Sequence, residues 1–506
     1  MRINLLDMFD VTVETKKKEI AIEHNDETIT FEQLRERAFS VANYLLKKMD
    51  VLINKPIAVF LPKEINTVIS DIGILYSGNP FMNLDIKTPM ERIFNILDTI
   101  KPQVILTNQK YIHLFGQANI RVIDIENIEV DTETSLIDKQ RARLIDTDPM
   151  CIINTSGSTG TPKGVVLSHR SFFDFTDWAV EEFMFDGTEI IGSLSPVVFD
   201  IFDFELCMLI TKGSRLILLD GALAMFPANL LKEIAKRKVS FIFWVPSIMV
   251  NIANLDLLGK IALPDIKMIW FAGEVFPTKQ FLYWYDHITD AVFVNLYGPI
   301  EITLDCTYHV IHERPDENLP LPIGVPCKNT DILILNEKNQ LCCENEEGEL
   351  CVRGSSLAMG YYNNTQKTLE SFIQNPLNSA YPELIYRTGD MVTKDLNGLL
   401  HFKGRKDSLI KHMGYRIELG EIEHVIVNDL KIVNYCCAVY DNLNKKIVLF
   451  YEMDKEIAPK EFRKQLMEYF PSYMLPNSFE RMDMLPRNAN GKIDRLQLKT
   501  RVEREN

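Results

Sequence analysis

Residues 155–164 of this 506-residue chain combine the side chains that a phosphate-binding loop needs. The stretch reads T-S-G-S-T-G-T-P-K-G and follows an apolar, strand-like segment at residues 150–153. Glycines let the backbone turn its N–H groups toward an anion, hydroxyl groups add donors, and Lys163 adds a mobile positive charge. The spacing is not that of a Walker A loop, because the first two glycines lie too close together and a third glycine follows the lysine. Taken alone, the stretch is equally compatible with a flexible, solvated Ser/Gly loop.

Further polar clusters interrupt the apolar pattern in the second half of the chain. Each alone is compatible with a turn followed by a helix cap. Their joint occurrence in this order, after the loop at 155–164, is not expected by chance. The clusters are N-L-Y-G-P-I-E at 295–301, Y-R-T-G-D at 386–390, G-R-K-D at 404–407, G-Y-R-I-E-L-G-E-I-E at 414–423 and N-G-K-I-D-R at 490–495.

Together these motifs resemble the adenylate-forming superfamily, which includes acyl-CoA synthetases, luciferases and the amino-acid adenylation domains of nonribosomal peptide synthesis. The resemblance covers nearly the whole chain and is closest to stand-alone amino-acid-activating enzymes, including the D-alanine–carrier protein ligases. It implies that a carboxylate attacks the α-phosphate of ATP, which gives an acyl-adenylate and pyrophosphate, and that a thiol then displaces AMP. Because the first step brings two anions together, it needs cations and donors aimed at the developing charge.

The resemblance implies a role in ATP binding for each motif. Residues 155–163 would cover the β- and γ-phosphates, and Glu301 would hold Mg²⁺, a hard cation that prefers oxygen ligands. Asp390 would accept hydrogen bonds from the ribose, and Tyr297 would stack near adenine. Lys492 would bridge the carboxylate and α-phosphate oxygens in the transition state of adenylation. The catalytic set is Lys492, Glu301 and Thr155, and the nucleotide-binding set is Ser156, Gly157, Ser158, Thr159, Gly160, Lys163, Asn295, Leu296, Tyr297, Gly298, Ile300, Asp390, Phe402, Arg405 and Lys492.

The resemblance also implies a small mobile domain with its hinge at Asp407. Rotation about the hinge would replace Lys492 by the loop at residues 414–418, which would then line a channel for the thiol. A fixed linker is the alternative reading of the hinge.

One departure from the family pattern concerns Ile300. The family usually carries threonine within Y-G-P-T-E, and a branched alkyl group cannot donate the hydrogen bond of that hydroxyl. Loss of one such donor costs about 2–4 kcal/mol when nothing replaces it. Either the enzyme is slow, or a water or neighbouring group substitutes, or the chain was altered here. A lesser departure is Leu409, where glutamine is frequent.

Asp200 marks the predicted acid-binding pocket. The segment F-D-I-F-D-F-E at 199–205 matches the position where amino-acid-activating members carry F-D, so Asp200 would pair with the α-ammonium group of the substrate. Because an unpaired buried charge is costly, this carboxylate would select an amino acid over a fatty or aryl acid. A helix N-cap is the alternative role. The other predicted pocket residues are Ile201, Phe204, Trp244, Trp270, Ala272, Gly273, Leu296, Leu304 and Asp305.

The bulky aromatic members of this set predict a small or medium substrate side chain. Their alternative reading is ordinary core, since aromatic residues at strand ends usually pack there. Asp305 would either contact a polar or cationic substrate side chain or face solvent.

Composition limits the classes of binding partner and the cellular location that we expect. A net charge of −15 without a Lys/Arg run disfavours nucleic-acid binding. The sequence shows neither a signal peptide nor an apolar stretch long enough for a membrane span, so we expect a cytoplasmic protein without membrane contact. The nine cysteines lack C-x-x-C spacing and are expected to be reduced thiols.

Alternating strand-like and helix-like runs must position these residues. The predicted fold class is α/β, with a large N-terminal domain of layered mixed sheets over residues 1–404 and a small α+β domain over residues 405–506. A capping box of Thr30 and Gln33 predicts the start of one helix. Apolar runs predict strands at 56–61, 103–106, 121–125, 151–153, 215–219, 241–245, 268–271, 292–296, 438–440 and 447–451, and periodicity predicts helices at 229–238, 278–288, 418–428 and 460–469.

The leading hypothesis is an ATP- and Mg²⁺-dependent enzyme that adenylates an amino acid and loads it onto a phosphopantetheine thiol. The carrier would be a separate protein, since neither a carrier serine motif nor H-H-x-x-x-D-G is found in the chain. The alternative is an acyl- or aryl-CoA ligase with the same first step. A catalytically weak binding homologue is a third hypothesis, which only Ile300 supports. The identity and chirality of the amino acid, the pathway and the oligomeric state stay open.

Overall fold

The computed structural model describes residues 4–156, 162–406, 409–453, 457–487 and 493–504. Strands are distributed along nearly the whole chain. In order they are β1 Ile20–His24, β2 Glu27–Thr30, β3 Ile57–Val59, β4 Phe81–Asn83, β5 Val104–Thr107, β6 Arg121–Asp124, β7 Pro149–Thr155, β8 Lys163–Ser168, β9 Ile190–Ser193, β10 Arg215–Leu218, β11 Phe241–Trp244, β12 Met268–Phe271, β13 Val292–Tyr297, β14 Thr307–Ile311, β15 Val325–Pro326, β16 Thr330–Leu335, β17 Gly348–Gly354, β18 Gly360–Tyr361, β19 Phe372–Gln374, β20 Leu384–Lys394, β21 Leu400–Arg405, β22 Leu409–His412, β23 Tyr415–Glu418, β24 Cys436–Asp441, β25 Lys446–Glu452 and β26 Ser478–Met482.

Helices alternate with these strands. They are α1 Leu5–Lys16, α2 Phe31–Lys48, α3 Ile65–Tyr76, α4 Met90–Ile100, α5 Ser135–Arg141, α6 His169–Phe183, α7 Asp200–Lys212, α8 Pro227–Lys236, α9 Pro246–Asn254, α10 Thr278–His287, α11 Thr365–Ser371, α12 Leu419–His424, α13 Pro459–Leu466 and α14 Arg495–Arg504. The predicted capping box starts α2, since the Thr30 hydroxyl accepts from the Gln33 N–H and the Gln33 side chain accepts from the Thr30 N–H. No helix in the described part of the chain is long and apolar enough to cross a membrane.

Contacts between Cα atoms divide the chain into two compact units. Unit 1 comprises Met1–Asp85, Ile100–Ile153 and Val165–Gly404, and unit 2 comprises Ile86–Thr99, Asn154–Gly164 and Arg405–Asn506. The domain boundary predicted after residue 404 and the hinge predicted at Asp407 stay predictions, and Asp407 lies outside the described residues.

Unit 1 is built on a nine-stranded sheet with the order β15-β14-β13-β12-β11-β9-β10-β1-β2. The six strands from β13 to β1 run parallel, and the outer strands β14, β15 and β2 are antiparallel. A seven-stranded sheet has the order β18-β8-β7-β4-β3-β5-β6, and a third sheet joins β16, β17, β20, β19 and β21. This layered mixed α/β architecture confirms the predicted fold class.

Side chains of the nine-stranded sheet alternate between two hydrophobic clusters. One face packs with α1, α2, α3, α6 and α7, and the other packs with α8, α9 and α10. Along β11, for example, Phe241 and Phe243 belong to the first cluster, whereas Ile242 and Trp244 belong to the second. A parallel sheet covered on both faces requires such apolar residues at every position of its strands.

Unit 2 contains a three-stranded sheet of β24, β25 and β26 and a two-stranded ribbon of β22 and β23. One face of the three-stranded sheet packs with α12 and α13, and the other face packs with α14. The predicted strands at 438–440 and 447–451 are therefore the paired strands β24 and β25. The helix predicted over 418–428 is shorter, because after His424 it widens into a π-helical turn over Val425–Asp429.

Candidate active site

The carboxyl ends of the parallel strands bring most predicted site residues of unit 1 to one edge of the nine-stranded sheet. Strands β9, β11, β12 and β13 end there, and residue pairing aligns Trp244 with Phe271 and Phe271 with Asn295. Asp200 follows β9, Ala272 follows β12, and the 295–301 motif spans the end of β13. Ligands of open α/β sheets bind outside this carboxyl edge.

Tyr297 and Asp390 form a buried hydrogen bond in unit 1. The hydroxyl of Tyr297, the last residue of β13, donates to the carboxylate of Asp390 on β20. Burial, reinforced by the Asp390 carboxylate, raises the pKa of Tyr297 well above its usual value, so the phenol keeps its proton. The backbone N–H of Asp390 donates to the Thr388 hydroxyl, which in turn donates to the Leu350 carbonyl. This chain of bonds fixes the direction of the Asp390 carboxylate.

Glu301 is fully buried in a short 3₁₀ turn over Ile300–Ile302. Its carboxylate accepts a hydrogen bond from the Tyr361 hydroxyl at 2.8 Å, and its carbonyl accepts from the N–H of Ala358. An oriented carboxylate oxygen is the ligand type that Mg²⁺ prefers, so Glu301 fits the metal-binding role predicted for it. Tyr361 and Glu301 are 60 positions apart in the chain, and no local sequence pattern predicts their contact.

The backbone around this turn is held in unusual conformations. Thr303 and Leu304 have φ angles of 55° and 67°, in the left-handed region that glycine favours. A Cβ atom at Gly298 would lie 2.3 Å from the Leu304 carbonyl oxygen, so only glycine allows this close approach. The Thr303 hydroxyl is occupied, since it donates to the Ser356 carbonyl at 2.8 Å. Strained positions of this kind cluster at functional sites.

Ile300 precedes Glu301 in the same turn. Its side chain is half-buried and packs against the first hydrophobic cluster. The position is thus filled by hydrocarbon where the family pattern has a hydroxyl. The hydroxyl of the nearby Thr303 donates to the Ser356 carbonyl, so its O–H is already used within the protein.

Asp200 is the first residue of helix α7. Phe199 occupies the N-cap position, and one carboxylate oxygen of Asp200 accepts from the Ile201 N–H at 3.0 Å. The carboxylate therefore sits half-buried at the positive end of a 13-residue helix, which stabilises its negative charge. One turn later, Asp203 is fully buried, and burial raises its pKa well above the usual value.

Predicted pocket residues pack on the α7 side of the sheet. Phe204 and Trp270 are stacked, with ring centroids 5.4 Å apart, and both are fully buried. Ile201, Ala272, Leu296 and Leu304 belong to the same hydrophobic cluster. The Trp270 indole N–H is buried and has no hydrogen-bond partner among the described residues. Asp305 is buried with 4% of its surface exposed, so it does not face solvent, and Gly273 follows in the turn after β12 with φ of 90°.

Trp244 is the one predicted aromatic that the structure separates from the others. It lies on the opposite face of the sheet beside Phe271, and its indole N–H donates to the Gly192 carbonyl at 3.1 Å. The neighbouring Phe243 lies on the pocket face instead, paired with Trp270 at 5.5 Å between ring centroids. The register of β11 with β12 thus places Phe243, rather than Trp244, on the face that carries Trp270, and the pocket role of Trp244 stays a prediction.

The remaining nucleotide-side predictions of unit 1 are Asn295, Leu296 and Phe402. The Asn295 amide donates to the Pro322 carbonyl at 2.7 Å, so this side chain holds a loop in place. Leu296 is buried in the first cluster. The half-buried ring of Phe402 on β21 lies 6.4 Å from that of Tyr297, centroid to centroid.

Unit 2 holds the two described ends of the Ser/Gly loop. Thr155 ends β7 with a buried hydroxyl that has no hydrogen-bond partner in the described part of the chain. The Ser156 hydroxyl donates to the Arg416 carbonyl at 2.8 Å and accepts from the Glu418 N–H at 3.1 Å. Lys163 begins β8, with its ammonium 3.8 Å from the Glu418 carboxylate.

Several predicted residues lie outside the described part of the chain, namely Gly157, Ser158, Thr159, Gly160, Asp407 and Lys492. Arg405 is described as the last residue of β21 and is half-buried. The roles assigned to all of these residues stay predictions.

Comparison with known proteins identifies the family. The family model for AMP-binding enzymes matches residues 9–362. The chain belongs to the AMP-binding enzyme family. The predicted superfamily is thereby confirmed, and this AMP-binding enzyme is an AMP-forming ligase that uses ATP.

Curated relatives of this AMP-binding enzyme are synthases of nonribosomal peptides. Zwittermicin A synthase ZmaJ of Bacillus cereus is 29% identical over 501 residues, covering 96% of this chain and 93% of the relative. Bacitracin synthase 1 of Bacillus licheniformis is 31% identical over 483 residues, covering 93% of this chain but only 9% of that protein. The enzyme is therefore of the adenylation type found in nonribosomal peptide synthesis.

Solved structures share the fold of this AMP-binding enzyme. The adenylation domain AlmE of Vibrio cholerae, determined in complex with glycyl-adenosine-5′-phosphate, superimposes with a TM-score of 0.85 at 20% sequence identity. The match covers 99% of this chain and 98% of that structure. At this identity the likeness establishes the fold alone.

Proposed function

We propose that this enzyme activates an amino acid as its aminoacyl-adenylate and transfers it to the phosphopantetheine thiol of a separate carrier protein. The observation that carries the proposal is the place of Asp200. Its carboxylate begins helix α7 at the carboxyl edge of the nine-stranded sheet, one turn before Phe204, whose ring stacks on that of Trp270. A carboxylate close to an apolar cluster fits a ligand with a cationic group next to its side chain.

The charge state of α7 supports the assignment to Asp200 rather than to its neighbour. The helix N-terminus favours a negative charge on Asp200. Asp203 is only 1% exposed, and burial raises its pKa well above the usual value, so a negative charge is disfavoured at this position. Asp200 is thus the carboxylate of the first turn that can pair with the substrate.

Dense aromatic packing supports a small or medium side chain in the substrate. Around Trp270, the rings of Phe204, Phe241 and Phe243 lie within 5.3–5.5 Å, centroid to centroid. Because interiors of this kind leave few voids, little space remains for a bulky group. The AlmE structure, whose bound adenylate carries a glycyl group, is one neighbour with a small acid.

For the nucleotide, the proposal assigns the ribose hydroxyls to Asp390 and a bound Mg²⁺ to Glu301. Mg²⁺ would neutralise the charge that develops on the phosphate oxygens. Asp390 has its carboxylate oriented by Tyr297, so it is prepared to accept from a diol. Glu301 is held by Tyr361 and by a turn in which two residues adopt left-handed backbone conformations.

For the phosphates, the proposal assigns the loop at residues 155–163 to the β- and γ-phosphates and Lys492 to the transition state of adenylation. Lys163 supplies a cation at one described end of the loop, and at the other end the Ser156 hydroxyl donates to the Arg416 carbonyl and anchors the loop. Lys492→Ala should abolish adenylation but spare thiol transfer from a supplied adenylate. Survival of adenylation in this variant would refute the role of Lys492.

Pyrophosphate exchange across a panel of acids tests the first half-reaction. The purified chain is assayed with each proteinogenic amino acid, with D-alanine, and with propionate, benzoate and a fatty acid. Much faster exchange with an amino acid than with its deaminated analogue is the expected result. Exchange with benzoate or the fatty acid instead would support the acyl- or aryl-CoA ligase. No exchange with any acid would support a binding homologue.

The thiol acceptor is tested separately. Two solved structures with the same fold contain an adenylation domain together with a PCP domain, which supports a carrier protein over coenzyme A. With the amino acid from the panel, we expect AMP release to be stimulated by a phosphopantetheinylated carrier protein. Faster release with free coenzyme A than with the carrier would contradict this part of the proposal.

A further inference from the structure

Lys63 is a half-buried cation that the proposed reaction leaves unexplained. It lies in the loop between β3 and α3, in unit 1. Its ammonium group donates to two backbone carbonyls, those of Ser193 and Ser195, at 2.7 Å each. Ser193 is the last residue of β9, and Ser195 lies two residues further along the connection to α7. Lys63 therefore fixes the beginning of the segment that ends at Asp200.

Glu205 completes this arrangement from helix α7. Its fully buried carboxylate accepts a hydrogen bond from the Ser193 hydroxyl. It also faces the charge of Lys63, which opposes the effect of burial on the pKa of Glu205. Burial lowers the pKa of Lys63 and raises that of Glu205, and each opposite charge counteracts the shift of its partner. Each group therefore favours the charged form of the other.

The geometry connects both ends of one short segment. Residues 194–199 join β9 to α7, and Asp200 follows directly. Lys63 holds the start of this segment through the carbonyls of Ser193 and Ser195, while Glu205 ties Ser193 to the helix that carries Asp200. A shift of about 1 Å at a substrate-contacting group can cost about 100-fold in rate. The position of the Asp200 carboxylate thus depends on this pair.

Charged groups removed from water are a weak source of stability compared with apolar residues of the same volume, because each charge must be desolvated. The sequence nevertheless places a half-buried ammonium near a fully buried carboxylate here. Two carbonyls converging on one ammonium also require a cation with several donors, which an apolar side chain cannot supply. These observations favour a role in geometry over a role in folding energy.

We propose that Lys63 and Glu205 are positioning residues for Asp200 and that they set the preference of the enzyme for an α-amino acid over the deaminated acid. The inference rests on the proposed function, in which Asp200 contacts the α-ammonium group. It assigns no contact with substrate to Lys63 or Glu205. Their effect reaches the substrate through residues 194–199 and through α7.

The experiment compares the wild-type enzyme with Lys63→Met, Lys63→Arg and Lys110→Met. Pyrophosphate exchange gives KM and kcat for the amino acid, its deaminated analogue and ATP. Lys63→Met should raise the KM for the amino acid about 10- to 100-fold, while the KM for ATP and for the deaminated acid changes far less. Lys63→Arg should restore much of the preference. Lys110 is exposed, and its variant is the matched control in which we expect wild-type constants.

Each result has one meaning. A wild-type enzyme that does not distinguish the two acids overturns the proposed function, and the inference with it. Two results overturn the inference alone. In the first, Lys63→Met discriminates between the two acids as well as the wild type does. In the second, its KM values rise equally for both acids and for ATP. If Lys63→Met does not fold, because Glu205 is left as an unpaired buried charge, the double variant Lys63→Met/Glu205→Leu carries the same test.

Discussion

The hydroxyl of Tyr297 donates a hydrogen bond to the carboxylate of Asp390, although the two residues are 93 positions apart in the chain. Both side chains are buried, and the phenol keeps its proton because burial and the carboxylate raise its pKa. The contact joins the 295–301 motif to the 386–390 motif. Two motifs that lie far apart in the sequence are therefore in direct contact.

Removal of this hydrogen bond should weaken ATP binding. In Tyr297→Phe the Asp390 carboxylate loses an oriented donor, and a hydrogen bond to a charged group contributes about 1.5–3 kcal/mol. We expect the KM for ATP to rise by about tenfold or more, with a smaller change in the KM for the amino acid. Pyrophosphate exchange at varied ATP measures both constants.

Tyr283→Phe is the matched control for this prediction. The Tyr283 hydroxyl also donates to a carboxylate, that of Asp256 at 3.0 Å, but on the exposed side of α10. Its removal should leave both KM values unchanged. An unchanged KM for ATP in Tyr297→Phe would show that Asp390 is not a nucleotide ligand.

Ile300→Thr should accelerate adenylation. A donor aimed at developing charge contributes about 10²–10³ in rate, and the hydrocarbon now at this position contributes none. Ile300→Val has nearly the shape of the threonine variant without its hydroxyl, so it isolates the effect of the donor. The rates of pyrophosphate exchange are compared at saturating substrates. Equal rates in the Thr and Val variants would indicate that another group already replaces the hydroxyl.

Glu418→Gln should strengthen ATP binding. The ammonium of Lys163 lies 3.8 Å from the Glu418 carboxylate, and a phosphate that binds Lys163 must compete with it. A partly exposed ion pair contributes up to about 1 kcal/mol, so we expect the KM for ATP to fall by about two- to fivefold. The opposite change, a rise, is expected in Lys163→Ala. A rise in Glu418→Gln as well would mean that Glu418 supports the loop instead of competing for its lysine.

Stability should depend on pH through His169. The residue is 1% exposed, and burial lowers the pKa of His169 to about 4. Between pH 6.5 and pH 4 the His169 imidazole is protonated in the unfolded chain but stays neutral in the folded chain. The free energy of unfolding therefore falls as the pH falls. The loss from this residue is at most about 3 kcal/mol and is complete near pH 4.

Urea unfolding of wild type and His169→Phe between pH 7.5 and pH 4.5 tests this prediction. The free energy of unfolding should fall more steeply toward low pH in the wild type than in His169→Phe, because only the wild type carries the penalty. The exposed His113 provides the control variant His113→Phe, whose pH dependence should match that of the wild type. Parallel curves for His169→Phe and wild type would refute the assignment.

The sequence predicted elements where local signals suffice. Alternating apolar runs located β11, β12 and β13, and the Thr30–Gln33 capping box located the start of α2. Long-range contacts carried no such signal, which is why Tyr361 beside Glu301 and Lys63 beside Ser193 were missed. The prediction of Trp244 as a pocket residue rests on its position in the chain, which carries no information about the face of a strand. Its register with Phe271 places it on the opposite face.

The most direct test of the proposed function is the ratio of kcat/KM for the amino acid to that for its deaminated analogue, in wild type and Asp200→Asn. Loss of a buried charge partner costs about 2–5 kcal/mol, so the ratio should fall by about two orders of magnitude. Asp203→Asn, which replaces a fully buried carboxyl group one turn away, should retain the wild-type ratio. A ratio unchanged by Asp200→Asn would contradict the central claim that Asp200 recognises an amino acid.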